Sequence, residues 1–251
     1  MSHKTYYKTI WLSDIHIFSY GCKTDKLINF LNTVKCDKLY LVGDIIDGWA
    51  ISRNGGVYSN NHINVIRKIL SKTKTGTKII YIIGNHDEFL REVLHLIENK
   101  KFGTIEIKEE DIHITSSGKR LLIIHGDQFD CVTRMHKWIA ILGDIGYTIL
   151  LRMNHIINKI THLLGIRYWS FSSFIKKKVK SAVSFISNFE FYISSECKKR
   201  GFDGVVCGHI HSAEIKTIND ILYVNCGDWV ESCTAIAETE DGNLILLQDN
   251  I

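Results

Sequence analysis

The residues of this chain that could do chemistry together stand in five short groups. These are Asp14-Ile15-His16, Gly43-Asp44-Ile45-Ile46-Asp47, Gly84-Asn85-His86-Asp87, His125-Gly126-Asp127 and Gly208-His209-Ile210-His211. Between them they offer carboxylates, one amide and imidazoles, and no cysteine. Asp14, His16, Asp44, Asn85, His125, His209 and His211 are therefore the candidate metal ligands. Oxygen and imidazole donors in this mixture suit Mn²⁺, with Fe or Zn²⁺ as alternatives, better than Ca²⁺ or a structural zinc. A pair of divalent ions clamps the attacking and leaving oxygens of a displacement and brings the pKa of bound water near neutrality. The chemistry implied is that of a two-metal hydrolase.

Each group is preceded by an apolar run: Ile10 to Ser13, Leu39 to Val42, Ile79 to Ile83, Leu121 to Ile124 and Val205 to Cys207. A short β-rich run that stops at Gly, Asp or Asn reads as a buried strand feeding a loop. Open α/β sheets bind ligands at the carboxyl ends of their strands, so five such ends can converge on one spot. Up to residue 126 the pattern predicts strands at 8 to 13, 38 to 42, 78 to 83, 105 to 107, 111 to 115 and 120 to 124. Helices are predicted at about 24 to 34, 60 to 72 and 88 to 99. After residue 202 strands are expected near 204 to 207, 213 to 218, 221 to 225, 233 to 239 and 243 to 248. The fold class is α/β, with helices covering sheets that pack face to face.

The 251 residues, 45% apolar and 23% charged, fit one large soluble domain with an insertion. Proline is absent, so turns rest on Gly, Asn, Asp and Ser, and no cis-proline enters the site. Seven cysteines, an odd number without a Cys-x-x-Cys pair, read as reduced thiols of a cytoplasmic protein. No export signal is visible near the N-terminus.

Residues 131 to 200 have helical period and no strand punctuation. They carry 12 Lys and Arg against Asp144, Glu190 and Glu196, a net +9, which leaves −5 for the rest of a +4 chain. With Trp138, Phe171, Phe174, Phe185, Phe189 and Phe191 this segment suits a helical lid over an anionic, partly apolar substrate. An ordinary helical subdomain with a solvated cationic face fits the composition equally well. Its apolar stretch from Trp138 to Leu151 is broken by Asp144 and is shorter than the ~20 residues of a membrane span. Peripheral contact with a membrane surface through Lys176 to Lys180 is the membrane expectation.

Singly, each group is a common turn or cap; Gly84-Asn85 in particular belongs to residues that tolerate positive φ. In order and wording, however, the five resemble the calcineurin-like metallophosphoesterase family, over most of the chain. The resemblance implies a two-sheet sandwich flanked by helices in α-β-β-α layers. It places one ion with Asp14, His16, Asp44 and His211, and the other with Asp44, Asn85, His125 and His209, so that Asp44 bridges. It makes His86 and Asp87 the catalytic pair, an imidazole oriented by a carboxylate that stabilises the transferring phosphoryl group or protonates the leaving oxygen. Asp47 and Asp127 are expected to fix metal-bound histidine rings. His3, His62, His95, His113, His136, His155 and His162 fall outside the groups and read as surface or core residues.

Within the family the wording of residues 41–49, 84–90, 125–130 and 225–233 is similar to the UDP-2,3-diacylglucosamine pyrophosphatases of lipid A synthesis. That similarity implies hydrolysis of a nucleotide-linked glycolipid to UMP and a lipid monophosphate, by a cytoplasmic enzyme lying peripherally on the inner membrane. The sequence departs from that branch at His86, where the branch carries Arg. The alternatives are a phosphomonoesterase, phosphodiesterase or nuclease of other specificity, with nucleic acid the disfavoured partner, and a non-enzymatic scaffold of the same fold.

Overall fold

A computed structural model describes residues 4–96, 100–129 and 171–248. Two compact units divide the chain, one formed by residues 1–127 with 193–251 and the other by 128–192. In the first unit, among the described residues, twelve strands form two sheets. They are β1 (Thr5–Leu12), β2 (Val34–Val42), β3 (Lys78–Ile82), β4 (Lys101–Phe102), β5 (Ile105–Lys108), β6 (Glu110–Ile114), β7 (Arg120–Ile124), β8 (Gly204–Cys207), β9 (Glu214–Ile218), β10 (Ile221–Asn225), β11 (Thr234–Glu238) and β12 (Leu244–Gln248). The larger sheet runs β12-β11-β1-β2-β3-β5-β4 and the smaller β6-β7-β8-β10-β9.

Successive strand side chains point to opposite faces, and here both faces are apolar, as expected of parallel strands covered on each side. Trp11, Tyr40, Val42, Ile80, Ile82 and Ile236 of the larger sheet meet Leu121, Ile123, Val206, Val224 and Cys226 of the smaller in the core between them. Their strand neighbours Ile10, Leu12, Leu39, Leu41, Ile79 and Tyr81 belong to a second cluster with Leu27, Phe30, Leu31, Val65 and Ile69. These last five come from two amphipathic helices, α1 (Thr24–Thr33) and α3 (Asn60–Thr73). Ser59 caps the second, its hydroxyl accepting from the His62 backbone N–H at 3.3 Å.

Departures from the sequence expectation are local. Strand β2 begins four residues earlier than the pattern suggests, pairing Thr5 with Val34. A short helix, α2 (Gly48–Asn54), was not expected at all. Of the helix expected at 88 to 99, the described residues form a single turn, α4 (Phe89–Val93), continued as a 3-10 turn at Leu94–Leu96. Residues 131–170, including Trp138 and most of the expected lid, lie outside the described residues. The remainder of that segment is helix α5 (Phe171–Lys199). No helix of the described residues is long and apolar enough to cross a membrane.

The arrangement that matters for chemistry is the register of parallel neighbours. Strands β1, β2 and β3 run parallel and adjacent, so their carboxyl ends deliver Asp14, Asp44 and Asn85 side by side. Strands β7 and β8 do the same in the other sheet for His125 and His209. The loops are stitched together by backbone hydrogen bonds from Asp14 N to Gly43 O (3.1 Å), His16 N to Asp44 O (2.9 Å) and Gly208 N to His125 O (3.1 Å).

Candidate metal centre

Three sets of donor atoms each lie within 4.8 Å of one another: Asp14, His16 and His211; His16, Asp44 and His86; and Asp44, His125 and His209. Asp14 is buried, with His211 Nε2 3.2 Å and His16 Nε2 4.0 Å from its Oδ1. Asp44 stands between the flanking sets, His125 Nε2 lying 3.4 Å from its Oδ1 and His86 Nε2 3.9 Å from its Oδ2. All the residues named as ligands from sequence, apart from Asn85, enter these sets, and Asn85 follows the adjacent tip of β3.

The donor atoms fit divalent cations on their hydrogen bonding. Asp14 Oδ1, His16 Nε2, Asn85 Oδ1 and His125 Nε2 are buried atoms with no hydrogen-bond partner. Burying four such atoms unsatisfied at one place costs several kcal/mol unless cations answer them, roughly 1–3 kcal/mol each. The other ring nitrogen of His125, Nδ1, lies 3.0 Å from the Val42 carbonyl oxygen. A proton held there fixes the tautomer with an Nε2 lone pair aimed at the cluster.

Electrostatics carry the same message. Burial alone would depress the His125 imidazole, yet the Asp44 and Asp14 carboxylates push it up to about 10. Burial likewise opposes the charge of Asp44, but His125, His86 and His16 hold it well below the usual carboxylate range. The His211 imidazole is raised against burial by Asp14. A pocket of anions that draws protons onto histidines this strongly is a pocket short of positive charge.

The partners of His86 differ from the expectation. Its Nδ1 lies 2.9 Å from Asp47 Oδ1, so the orienting carboxylate is Asp47 and not Asp87. Asp87 is fully buried and accepts from Ile45 N (3.1 Å), Ile46 N (2.7 Å) and Tyr81 Oη (2.8 Å), tying the loop after β2 to the turn after β3. Burial first, then the neighbouring Asp44 charge, push the Asp87 carboxyl up to about 6. Asp47 also sits 3.6 Å from His16 Nδ1, so one carboxylate serves two rings. Hydrogen bonds from His16, His86 and the Ala50 N–H outweigh burial and hold it far below its ordinary range.

Asp127 was expected to steady a histidine ring. It instead accepts from Arg91 Nη2 at 2.8 Å, a partner 36 residues away in sequence. Two residues near the site were missed. Trp49 packs against His86 with ring centroids 4.1 Å apart. Asp228 Oδ2 lies 4.0 Å from His211 Nδ1, while its Oδ1 accepts from Val230 N (2.7 Å) and Ser232 N (3.2 Å). The Gly227-Asp228 pair, between Asn225 and Ser232, was the available signal for a structured loop.

Two stacked sheets whose strand tips gather carboxylates, imidazoles and an amide define a metal-dependent phosphoester hydrolase. The chain belongs to the calcineurin-like phosphoesterase family, whose sequence profile matches residues 7–213. Membership implies divalent metal ions and a phosphate-containing substrate. No curated protein matches the sequence. Solved structures similar to it include an archaeal phosphodiesterase, 14% identical over 96% of this chain and 98% of that one, with a TM-score of 0.45. Another is Yfce, a phosphoesterase from E. coli, at 15% identity, 96% and 99% coverage and a TM-score of 0.40. A variant of Vps29 from Entamoeba histolytica gives 10%, 96% and 97%, and 0.41.

Proposed function

We propose that the enzyme holds two divalent ions, Mn²⁺ in the first instance, and cleaves the diphosphate of UDP-2,3-diacylglucosamine to UMP and a lipid monophosphate. The observation that carries the dinuclear reading is that Asp44 is shared by two sets of donors, one with His16 and His86 and one with His125 and His209, while four atoms of the proposed ligands are buried without hydrogen-bond partners. Asp14, His16, Asp44 and His211 would hold one ion, and Asp44, Asn85, His125 and His209 the other. Bound divalent cations polarise a phosphoryl oxygen and make a water-derived nucleophile accessible near neutral pH.

The chain's own groups do the rest. Asp47 holds His86 by Nδ1 and leaves Nε2, on the Asp44 side, to hold a proton for the leaving oxygen. Asp87, stapling the loops that carry Asp44 and His86, is a positioning residue in this reading. The lipid substrate is supported by the wording of residues 41–49, 84–90, 125–130 and 225–233, and by the +9 insertion expected to cover a phosphate-bearing lipid. Cytoplasmic placement and contact with the inner membrane belong to the same proposal.

His86 itself favours a second reading, phosphoester hydrolysis of other specificity, since imidazole at this position serves phosphatase chemistry generally. Purified protein with Mn²⁺ is expected to release UMP from UDP-2,3-diacylglucosamine. Absence of UMP together with turnover of p-nitrophenyl phosphate or bis(p-nitrophenyl) phosphate establishes the second reading. In the same panel His86→Arg is expected to shift preference toward the lipid substrate; a loss on every substrate would show that the imidazole is indispensable.

A further inference from the structure

The hydrogen bond from Asp47 fixes one end of the His86 ring. A ring held by one hydrogen bond and its own Cβ can still rock about χ1 and χ2, which shifts Nε2 relative to Asp44. Something else must set its plane. The start of α2 supplies it, being joined to the turn after β3 by several independent contacts. Gly48 N donates to His86 O at 3.1 Å. The approach is so close that a Cβ on Gly48 would stand 2.7 Å from that oxygen and 2.9 Å from the Phe89 ring. Trp49 Nε1 donates to Glu88 Oε1 at 3.2 Å, which sets the indole's orientation. The indole then lies over His86 with centroids 4.1 Å apart and planes inclined by 32°. The His16 ring meets His86 edge-on at 4.5 Å and 89°. Four residues on, one turn along α2, the Arg53 guanidinium lies 5.7 Å from the Trp49 ring centre.

We infer that Trp49 is a positioning residue for His86. Asp47 fixes the nitrogen and Trp49 fixes the plane, so that Nε2 is directed at the Asp44 side of the site. The inference rests on the proposed role of His86 as the group that holds a proton for the leaving oxygen. It adds a residue that no metal-ligand pattern contains. Misplacement of a reacting group by about 1 Å can cost about 10²-fold in rate, which a packing residue can govern without touching substrate.

The test uses bis(p-nitrophenyl) phosphate with the Mn²⁺-loaded enzyme, and proton NMR of the metal-free protein. Trp49→Ala is expected to lower kcat by about 10- to 100-fold with little change in KM, and Trp49→Phe to restore most of it. His86→Gln alone should lower kcat by about 10² or more, and adding Trp49→Ala to it should cost little further, because the two act through one ring. In the metal-free protein the His86 ring signals, identified by their loss in His86→Gln, should lie under the ring current of Trp49. Their NOE contacts to the His16 ring should persist in Trp49→Phe and weaken in Trp49→Ala. Equal losses from Trp49→Ala with and without His86, a rise in KM instead of a fall in kcat, or His86–His16 ring contacts unchanged in Trp49→Ala would each overturn the inference. Wild-type kcat in His86→Gln marks a different failure, that of the proposed role of His86, and removes the kinetic part of the inference with it.

Discussion

Asp44→Asn is expected to abolish turnover, lowering kcat by about 10³-fold or more, because in the proposed dinuclear site one substitution weakens the hold on both ions at once. Each ion is asked to supply several kcal/mol of transition-state stabilisation, and every 1.36 kcal/mol is about tenfold in rate. The change is close to isosteric, and the Asn carbonyl can keep the hydrogen bond that Asp44 Oδ1 accepts from His86 N at 2.8 Å. The fold is therefore expected to survive. What is lost is the anionic centre that faces His125, His86 and His16. Wild-type protein should be stabilised by added Mn²⁺ in proportion to its binding, and Asp44→Asn should show little such gain in melting temperature. Elemental analysis should find the variant depleted of metal after desalting. Mn²⁺-dependent turnover retained in Asp44→Asn would refute the bridging role, and with it the dinuclear reading.

The strands that carry this site are legible in the sequence because they are buried on both faces. A run such as Ile79 to Ile83 is isoleucine but for Tyr81, and its end is marked by the first residue that must leave the sheet. Convergence was legible too, since parallel neighbours put consecutive strand tips together. What could not be read is which side chains meet across the gap. His86 precedes Asp87 in the chain, and adjacency suggested a pair. In the fold Asp87 is turned to the backbone of Ile45 and Ile46 while Asp47, 39 residues away, reaches the imidazole. The separation of 36 positions between Arg91 and Asp127 hides that ion pair for the same reason.

Helix α2 was missed because seven residues beginning with Gly48 show no usable period. Its ends were nevertheless encoded. Asp47 caps it by accepting from Ala50 N at 2.8 Å, and Gly55, at φ 72°, closes it with hydrogen bonds from Gly55 N to Ile51 O and from Gly56 N to Ala50 O. Gly84 and Asn85 are of types that tolerate positive φ, yet positive φ falls on the proposed ligands Asp14 at 50°, His16 at 51°, Asp44 at 54°, His209 at 71° and His211 at 53°. Asp and His reach this region more readily than bulky residues, yet each instance still costs roughly 1–3 kcal/mol. Five together are tolerable where the surrounding strands and the ions over-determine them.

Gly84 then has a different task, and Gly84→Ala is the second change expected to have a large effect. Its φ lies outside the left-handed region, so alanine suits the backbone there. The obstacle is space. A Cβ at this position would collide with Asp44 Oδ1, would stand 2.5 Å from the Asp44 backbone nitrogen and would lie 3.0 Å from His125 Cδ2. None of these is the free end of a flexible side chain, so relief requires moving the proposed bridging residue or separating the tips of β2 and β3. Overpacking of this kind costs about 1–3 kcal/mol of stability, measurable by urea unfolding. The same shift should lower kcat by about 10²-fold, since ligand positions move with it. Gly76→Ala separates the two effects. Gly76 has φ 88° and nothing within 4 Å of its Cβ position, so alanine there should cost roughly 1–2 kcal/mol of stability through backbone strain and leave kcat alone. If Gly84→Ala lost stability while keeping wild-type kcat, as Gly76→Ala is expected to, the close contact between Gly84 and Asp44 would be packing alone, and the placement of Asp44 would tolerate more movement than a shared ligand of two ions allows.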